Sequence, residues 1–123
     1  KLDSILYVET KRAQQQGIKI TCKVQNYPED QDGIQCMGKV LVKLFEYAIA
    51  ENEKIHDPDK KQIDVQINVI ANQAVVLLTC PAGKKTYGLK KKINELTKER
   101  EGNTEVEKDE GRMKICVTFA EKD

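Results

Sequence analysis

The chain has 123 residues, enough for one domain and too few for a second core of ordinary size. Apolar residues make up 39% of it, which excludes a wholly disordered chain, and no apolar run approaches the roughly 18 residues that a membrane-crossing helix needs. Twenty-one lysines and arginines oppose twenty carboxylates for a net charge of +1, so a dedicated nucleic-acid binder is not expected, although a charged fraction of 33% leaves room for local basic patches.

Residues 2–16 read as a helix: Leu2, Ile5, Leu6 and Ala13 fall on one side, and Gln14, Gln15 and Gln16 lead to a stop at Gly17. Ile18, Ile20, Cys22 and Val24 then alternate with Lys19, Thr21 and Lys23, the period of a half-buried strand. Residues 26–33 are polar, hold Pro28 and are expected to form a loop. From Ile34 to about Asn52 the broad stripe Met37, Val40, Leu41, Leu44, Phe45, Ala48 and Ile49 describes a helix packed hard against a neighbour. A second loop, residues 53–61, carries His56 and Pro58. Ile63, Val65, Ile67 and Val69 alternate with polar residues as a strand, a turn follows at Ala71-Asn72-Gln73, and residues 74–80 are apolar enough for a central strand. After a Gly- and Lys-rich connection over residues 81–86, Leu89, Ile93 and Leu96 mark a third helix expected to end near Gly102. Residues 104–108 and 113–119 form a hairpin closed by Asp109-Glu110-Gly111, with Met113, Ile115, Val117 and Phe119 facing one way.

Three helices and five strands in so short a chain require two layers. The expected fold class is an α/β (α+β) two-layer sandwich, three helices packed on one face of a mixed five-stranded sheet, with residues 1–123 as a single domain. The Lys, Asp, Gln and Thr positions on the other sheet face are expected to meet solvent or a partner. Cys22, Cys36, Cys80 and Cys116 form no C-x-x-C pair and the single histidine has no cysteine near it, so no metal site is expected. All four cysteines sit in or beside apolar segments and are expected as buried, reduced thiols of a cytoplasmic domain. The chain opens on Lys1 without a signal-peptide pattern and reads as a piece of a longer protein.

Two local strings sharpen this outline. Residues 37–51, Met-Gly-Lys-Val-Leu-Val-Lys-Leu-Phe-Glu-Tyr-Ala-Ile-Ala-Glu, and residues 83–90, Gly-Lys-Lys-Thr-Tyr-Gly-Leu-Lys, resemble two segments of the ATP-binding domain of sensor histidine kinases, members of the gyrase, chaperone, histidine kinase and mismatch-repair (GHKL) ATPase superfamily. The first is similar to the helix pattern R-I-L-G-N-L-L-D-N-A-I-E-A, and the second to the G-x-G-Y-G-L-K segment that opens the helix beside the phosphates. Residues 101–107 resemble the Y-N-G-x-L-E-I-E stretch of these kinases, and the first helix with Gly17-Ile18 resembles the opening of the peptide quorum-sensing branch. The resemblance implies ATP and Mg²⁺ as ancestral ligands. It also implies the protein's own dimerisation and phosphoacceptor domain and a response regulator as partners, in the cytosolic part of a bacterial sensor that is itself membrane-anchored. Neither nucleic acid nor direct membrane contact is expected of this stretch.

The departures from that pattern concern the ligands. Lys43 stands where the first asparagine of the helix motif belongs, and Tyr47 where the second would chelate Mg²⁺; the acidic position between them survives as Glu46. No carboxylate follows the strand that ends near Cys80, where the family reads adenine with an aspartate, and the lid is missing or very short. Gly88 matches a phosphate-loop glycine, while Thr86 replaces the one before it. Candidate nucleotide-side residues are therefore Lys43, Tyr47, Gly83, Thr86, Tyr87, Gly88, Leu89 and Lys90, with Glu46 as the sole catalytic candidate. An amide oxygen can ligate a metal, whereas an ammonium only donates hydrogen bonds and repels a cation. Binding of Mg·ATP is expected to be weak or lost. His56, in an acidic loop after the second helix, is expected on the surface and not as a phosphoacceptor. The alternative is a non-enzymatic protein-interaction or small-ligand-sensing domain, a pseudokinase scaffold.

Overall fold

A computed structural model describes residues 1–121. Helix α1 (Leu2–Gln15) stops at Gly17, which takes a φ of +76° as the chain turns into β1 (Lys19–Val24). Helix α2 (Gln31–Glu53) carries the chain to β2 (Gln62–Ile70), which pairs with β3 (Gln73–Pro81); α3 (Tyr87–Leu96) precedes the β4 (Asn103–Asp109) and β5 (Arg112–Ala120) hairpin. Short 3₁₀ turns lie at Pro58–Lys60 and Lys98–Arg100.

The sheet order is β1-β2-β3-β5-β4. β1 and β2 are parallel, which the long connection through α2 permits, and the other pairs are antiparallel. Two tight turns set the register. Ala71 and Asn72 at φ 51° and 63°, and Glu110 and Gly111 at 50° and 78°, give the doubly positive geometry that matches hairpin twist. One face is a buried floor, apolar except at its β4 edge: Ile67 pairs with Val76, Val76 with Val117, and Val117 with the hydrogen-bonded Thr104. Met37, Val40, Leu41, Leu44, Phe45 and Ala48 of α2 are fully buried in the same core. The opposite face bears the polar row Thr21, Asp64, Thr79, Lys114 and Glu107, side by side across the five strands. Three helices on a mixed five-stranded sheet, with the expected element order, are what the structure contains.

Differences lie at the ends of elements and in the thiols. Helix α2 begins at Gln31 and not at Ile34, because Asp30 caps it: its Oδ2 accepts the Gly33 N–H at 3.0 Å. Helix α3 stops at Leu96, well before Gly102. Thr97 Oγ1 donates back to the Ile93 carbonyl at 2.9 Å, and a Cβ at Gly102 would collide with that hydroxyl. Only Cys36 and Cys80 are buried thiols; Cys22 is exposed on the edge strand β1, and Cys116 is half-exposed on the outer sheet face. All four are free, and His56 is exposed.

Two buried polar knots tie the layers. Asn52, fully buried at the end of α2, donates to the Ala48 and Gln62 carbonyls (2.8 and 3.3 Å) and accepts the Gln62 N–H at 2.9 Å, fixing where β2 starts. Arg100 donates through Nε to the Ala120 carbonyl (2.9 Å) and through Nη2 to both Asp30 oxygens (2.9 and 3.0 Å).

Candidate functional site

Lys43, Tyr47 and Glu51 follow one another at four-residue spacing and form one line along α2. The chain leaving β3 passes over the far end of that line. The Ala82 N–H donates to the Gly111 carbonyl at 2.8 Å, anchoring the β3–α3 connection to the hairpin turn, and buried Gly83 comes down on α2. A Cβ at Gly83 would land on the Tyr47 hydroxyl oxygen and 2.7 Å from Glu51 Oε1, so only glycine allows this approach. The Tyr47 Oη is buried and has no hydrogen-bond partner. Burial, with Glu51 and then Cys80 adding to it, pushes the phenol up to about 12, so it stays protonated at neutral pH. Burial likewise pushes the Cys80 thiol up to about 12, with Arg112 opposing. Glu51 is held by Lys54 at 3.0 Å.

The other candidates are distributed around this contact. Lys43, half-buried, lies 3.9 Å from exposed Glu46 and borders a groove toward α1. Thr86 precedes α3 without capping it through its side chain, and its carbonyl accepts the Lys90 N–H at 2.9 Å. Tyr87 is 78% exposed, Leu89 is buried in the core, and the space beside Gly88 is open. Tyr87 and Lys90 share the outer face of α3 with Lys91, Asn94 and Glu95, next to Lys98 of the following turn. Thus Tyr47 and Gly83 are brought together, Lys43 faces a different concavity, and Tyr87 and Lys90 look outward.

Neither motif nor periodicity singled out Glu51 or Glu9. Glu51 lies beside the contact of Tyr47 with Gly83, and the four-residue step from Tyr47 to Glu51 was the available signal. Glu9 of α1 is only 4% exposed, with Arg12 at 3.4 Å and Oε1 lacking a hydrogen bond. Burial raises its pKa; Arg12 opposes that shift and Glu46 of α2 adds to it. The spacing of Leu2, Leu6, Glu9 and Ala13 places Glu9 in the buried line of α1.

This donor set does not fit Mg²⁺, which takes near-octahedral oxygen ligation. Lys43 and Tyr47, at the two positions where the resemblance expects amides, offer an ammonium and a protonated phenol, and among the described residues no group of three or more His, Cys, Asp or Glu could hold a metal ion.

No family model and no curated protein sequence matches the chain. Solved structures do. The catalytic domain of the histidine kinase ThkA superposes with a TM-score of 0.69 over 98% of this chain and 89% of its own, at 13% identity. The fold is that of a histidine kinase catalytic domain. The Acinetobacter baumannii histidine kinase AdeS gives a TM-score of 0.73 at 11% identity, and the histidine kinase domain of the blue-light activated kinase of Erythrobacter litoralis 0.76 at 10%. Each is matched over 98% of this chain, which spans 63% of the AdeS chain and 59% of the Erythrobacter one. Among the described residues no helix is long and apolar enough to cross a membrane.

Proposed function

We propose that the chain is an atypical, degenerate histidine kinase ATP-binding domain of the quorum-sensing type, which retains the architecture for signal transduction but binds Mg·ATP weakly or not at all. The observation that carries this reading is the contact of the Tyr47 hydroxyl with Gly83. A tyrosine side chain fills the junction of α2 and the β3–α3 connection, where the resemblance puts the adenine-reading loop against the metal-binding helix. Lys43, which faces the groove toward α1, supplies a monovalent charge but no metal ligand. Phosphoryl transfer depends on metal ions bridging the phosphates, so it fails where the metal cannot be held.

The partners this reading assigns are the protein's own dimerisation and phosphoacceptor domain and a response regulator, on the cytoplasmic side. Serving them as a non-enzymatic scaffold is the second reading, favoured by the exposed Tyr87 beside Lys90 and Lys91 of α3, a surface that Glu95 and Lys98 complete. Isothermal titration with Mg·ATP tests the reading. Absence of saturable heat at millimolar nucleotide supports it, and micromolar affinity restores an intact kinase domain.

A further inference from the structure

The outer surface of the helix layer holds a groove that shares only Lys43 with the nucleotide reading. Gly38 lets α1 approach α2 closely: a Cβ there would lie 2.9 Å from Ile5 Cδ1. Above this contact the helices leave a concavity of about 410 Å³, whose apolar surface comes from Leu2, Ile5, Ile34, Gly38, Val42 and Leu96. Val42 is 37% exposed, so that surface is open to water. Gln35, Lys1, Lys39 and Lys43 complete the lining, and no carboxylate takes part. Lys39 and Lys43 stand one helical turn apart on α2. Among the described residues Lys39 makes no ion pair, and Lys43 makes only the 3.9 Å pair with exposed Glu46.

We propose that this groove binds a single-chain anionic amphiphile, the carboxylate of a medium-length alkyl chain. The alkyl chain lies over Leu2, Ile5, Ile34, Val42 and Leu96, and the carboxylate meets the Lys39 and Lys43 ammonium groups. Lysine only donates hydrogen bonds, so the head group that complements this wall is an anionic acceptor. The volume of the groove lies within the range of small-molecule pockets.

The test is calorimetric titration of the whole chain with dodecanoate below its micellar concentration, against dodecyltrimethylammonium and dodecyl maltoside as cationic and neutral probes. Saturable binding of dodecanoate at one site, tighter than either control, is expected, with affinity falling about two- to fourfold per methylene removed from the chain. Lys39→Glu should weaken it about fivefold. Val42→Asp, at a part-exposed position that can change without unfolding the domain, should weaken it about tenfold or more by placing a carboxylate against the alkyl chain; circular dichroism confirms folding of both variants. The proposal is overturned if dodecanoate shows no saturable binding, if all three amphiphiles bind alike, or if neither substitution moves the affinity. Concentration-dependent dimerisation that Val42→Asp abolishes, without dodecanoate binding, would also overturn it and make the groove a self-interface. No readout here involves nucleotide, so failure leaves the kinase-domain reading untouched.

Discussion

The hydroxyl oxygen of Tyr47 lies where a side chain on Gly83 would begin. That contact joins the middle helix to the chain leaving the sheet and leaves a buried phenol oxygen without a partner. Tyr47→Phe removes the unsatisfied group and keeps the ring. It should stabilise the domain by about 1 kcal/mol in urea denaturation at pH 7.

The same phenol sets a pH dependence. Its folded-state pKa is raised above the ordinary 10, so its contribution is fully present below pH 10 and is lost as pH rises toward about 12. The parent should therefore lose stability more steeply than Tyr47→Phe between pH 10 and pH 12. Parallel urea curves at pH 9 and pH 11 check this, with the gap between the two proteins widening at the higher pH.

Gly83→Ala places a methyl on the Tyr47 oxygen and should cost about 1–3 kcal/mol. Combined with Tyr47→Leu, the same change should cost less, with a coupling of about 1 kcal/mol in a double-mutant cycle. Strict additivity would show that the two residues do not press on each other.

Glu9 works in the opposite sense from a stabilising carboxylate. Burial raises its pKa from 4.5, so the folded state favours the protonated form; stability present below pH 4.5 is lost as pH rises through the folded-state value. Arg12 on α1 and Glu46 on α2 are the charged groups that act on it. Glu9→Gln should raise stability by about 1 kcal/mol at pH 7, and the gain should vanish below pH 4. A gain that persists in acid would assign the effect to packing.

Asp30 both caps α2 and receives the 7%-exposed Arg100 guanidinium. Asp30→Ala should cost about 3–5 kcal/mol, since it strands a buried charge as well as removing a cap. Asp30→Asn keeps the cap and isolates the charge, and thermal unfolding of the two variants separates the contributions.

Much of this fold is legible in the chain because its strands alternate cleanly. Ile63, Val65 and Ile67, and Met113, Ile115, Val117 and Phe119, can bury one face only in one register. The helix ends were less legible because they depend on single hydrogen bonds, one accepted by Asp30 and one donated by Thr97, which have no periodicity. Burial of Cys22 was misjudged because alternation reports which face a residue points to, and on an edge strand that face is only partly covered. At the candidate site, that Lys43 and Tyr47 stand where the resemblance expects two amides could be read from the chain. That Tyr47 would reach Gly83 could not, since it depends on how far the β3–α3 connection descends onto α2.

The most direct test is residue-resolved: amide chemical shifts of the domain with ATP, with and without Mg²⁺. The expected result is no saturable, Mg²⁺-dependent perturbation at Lys43, Tyr47 or Gly83 up to millimolar nucleotide. Saturating shifts at those three amides that require Mg²⁺ would contradict the claim that Tyr47 has taken the place of bound metal and nucleotide.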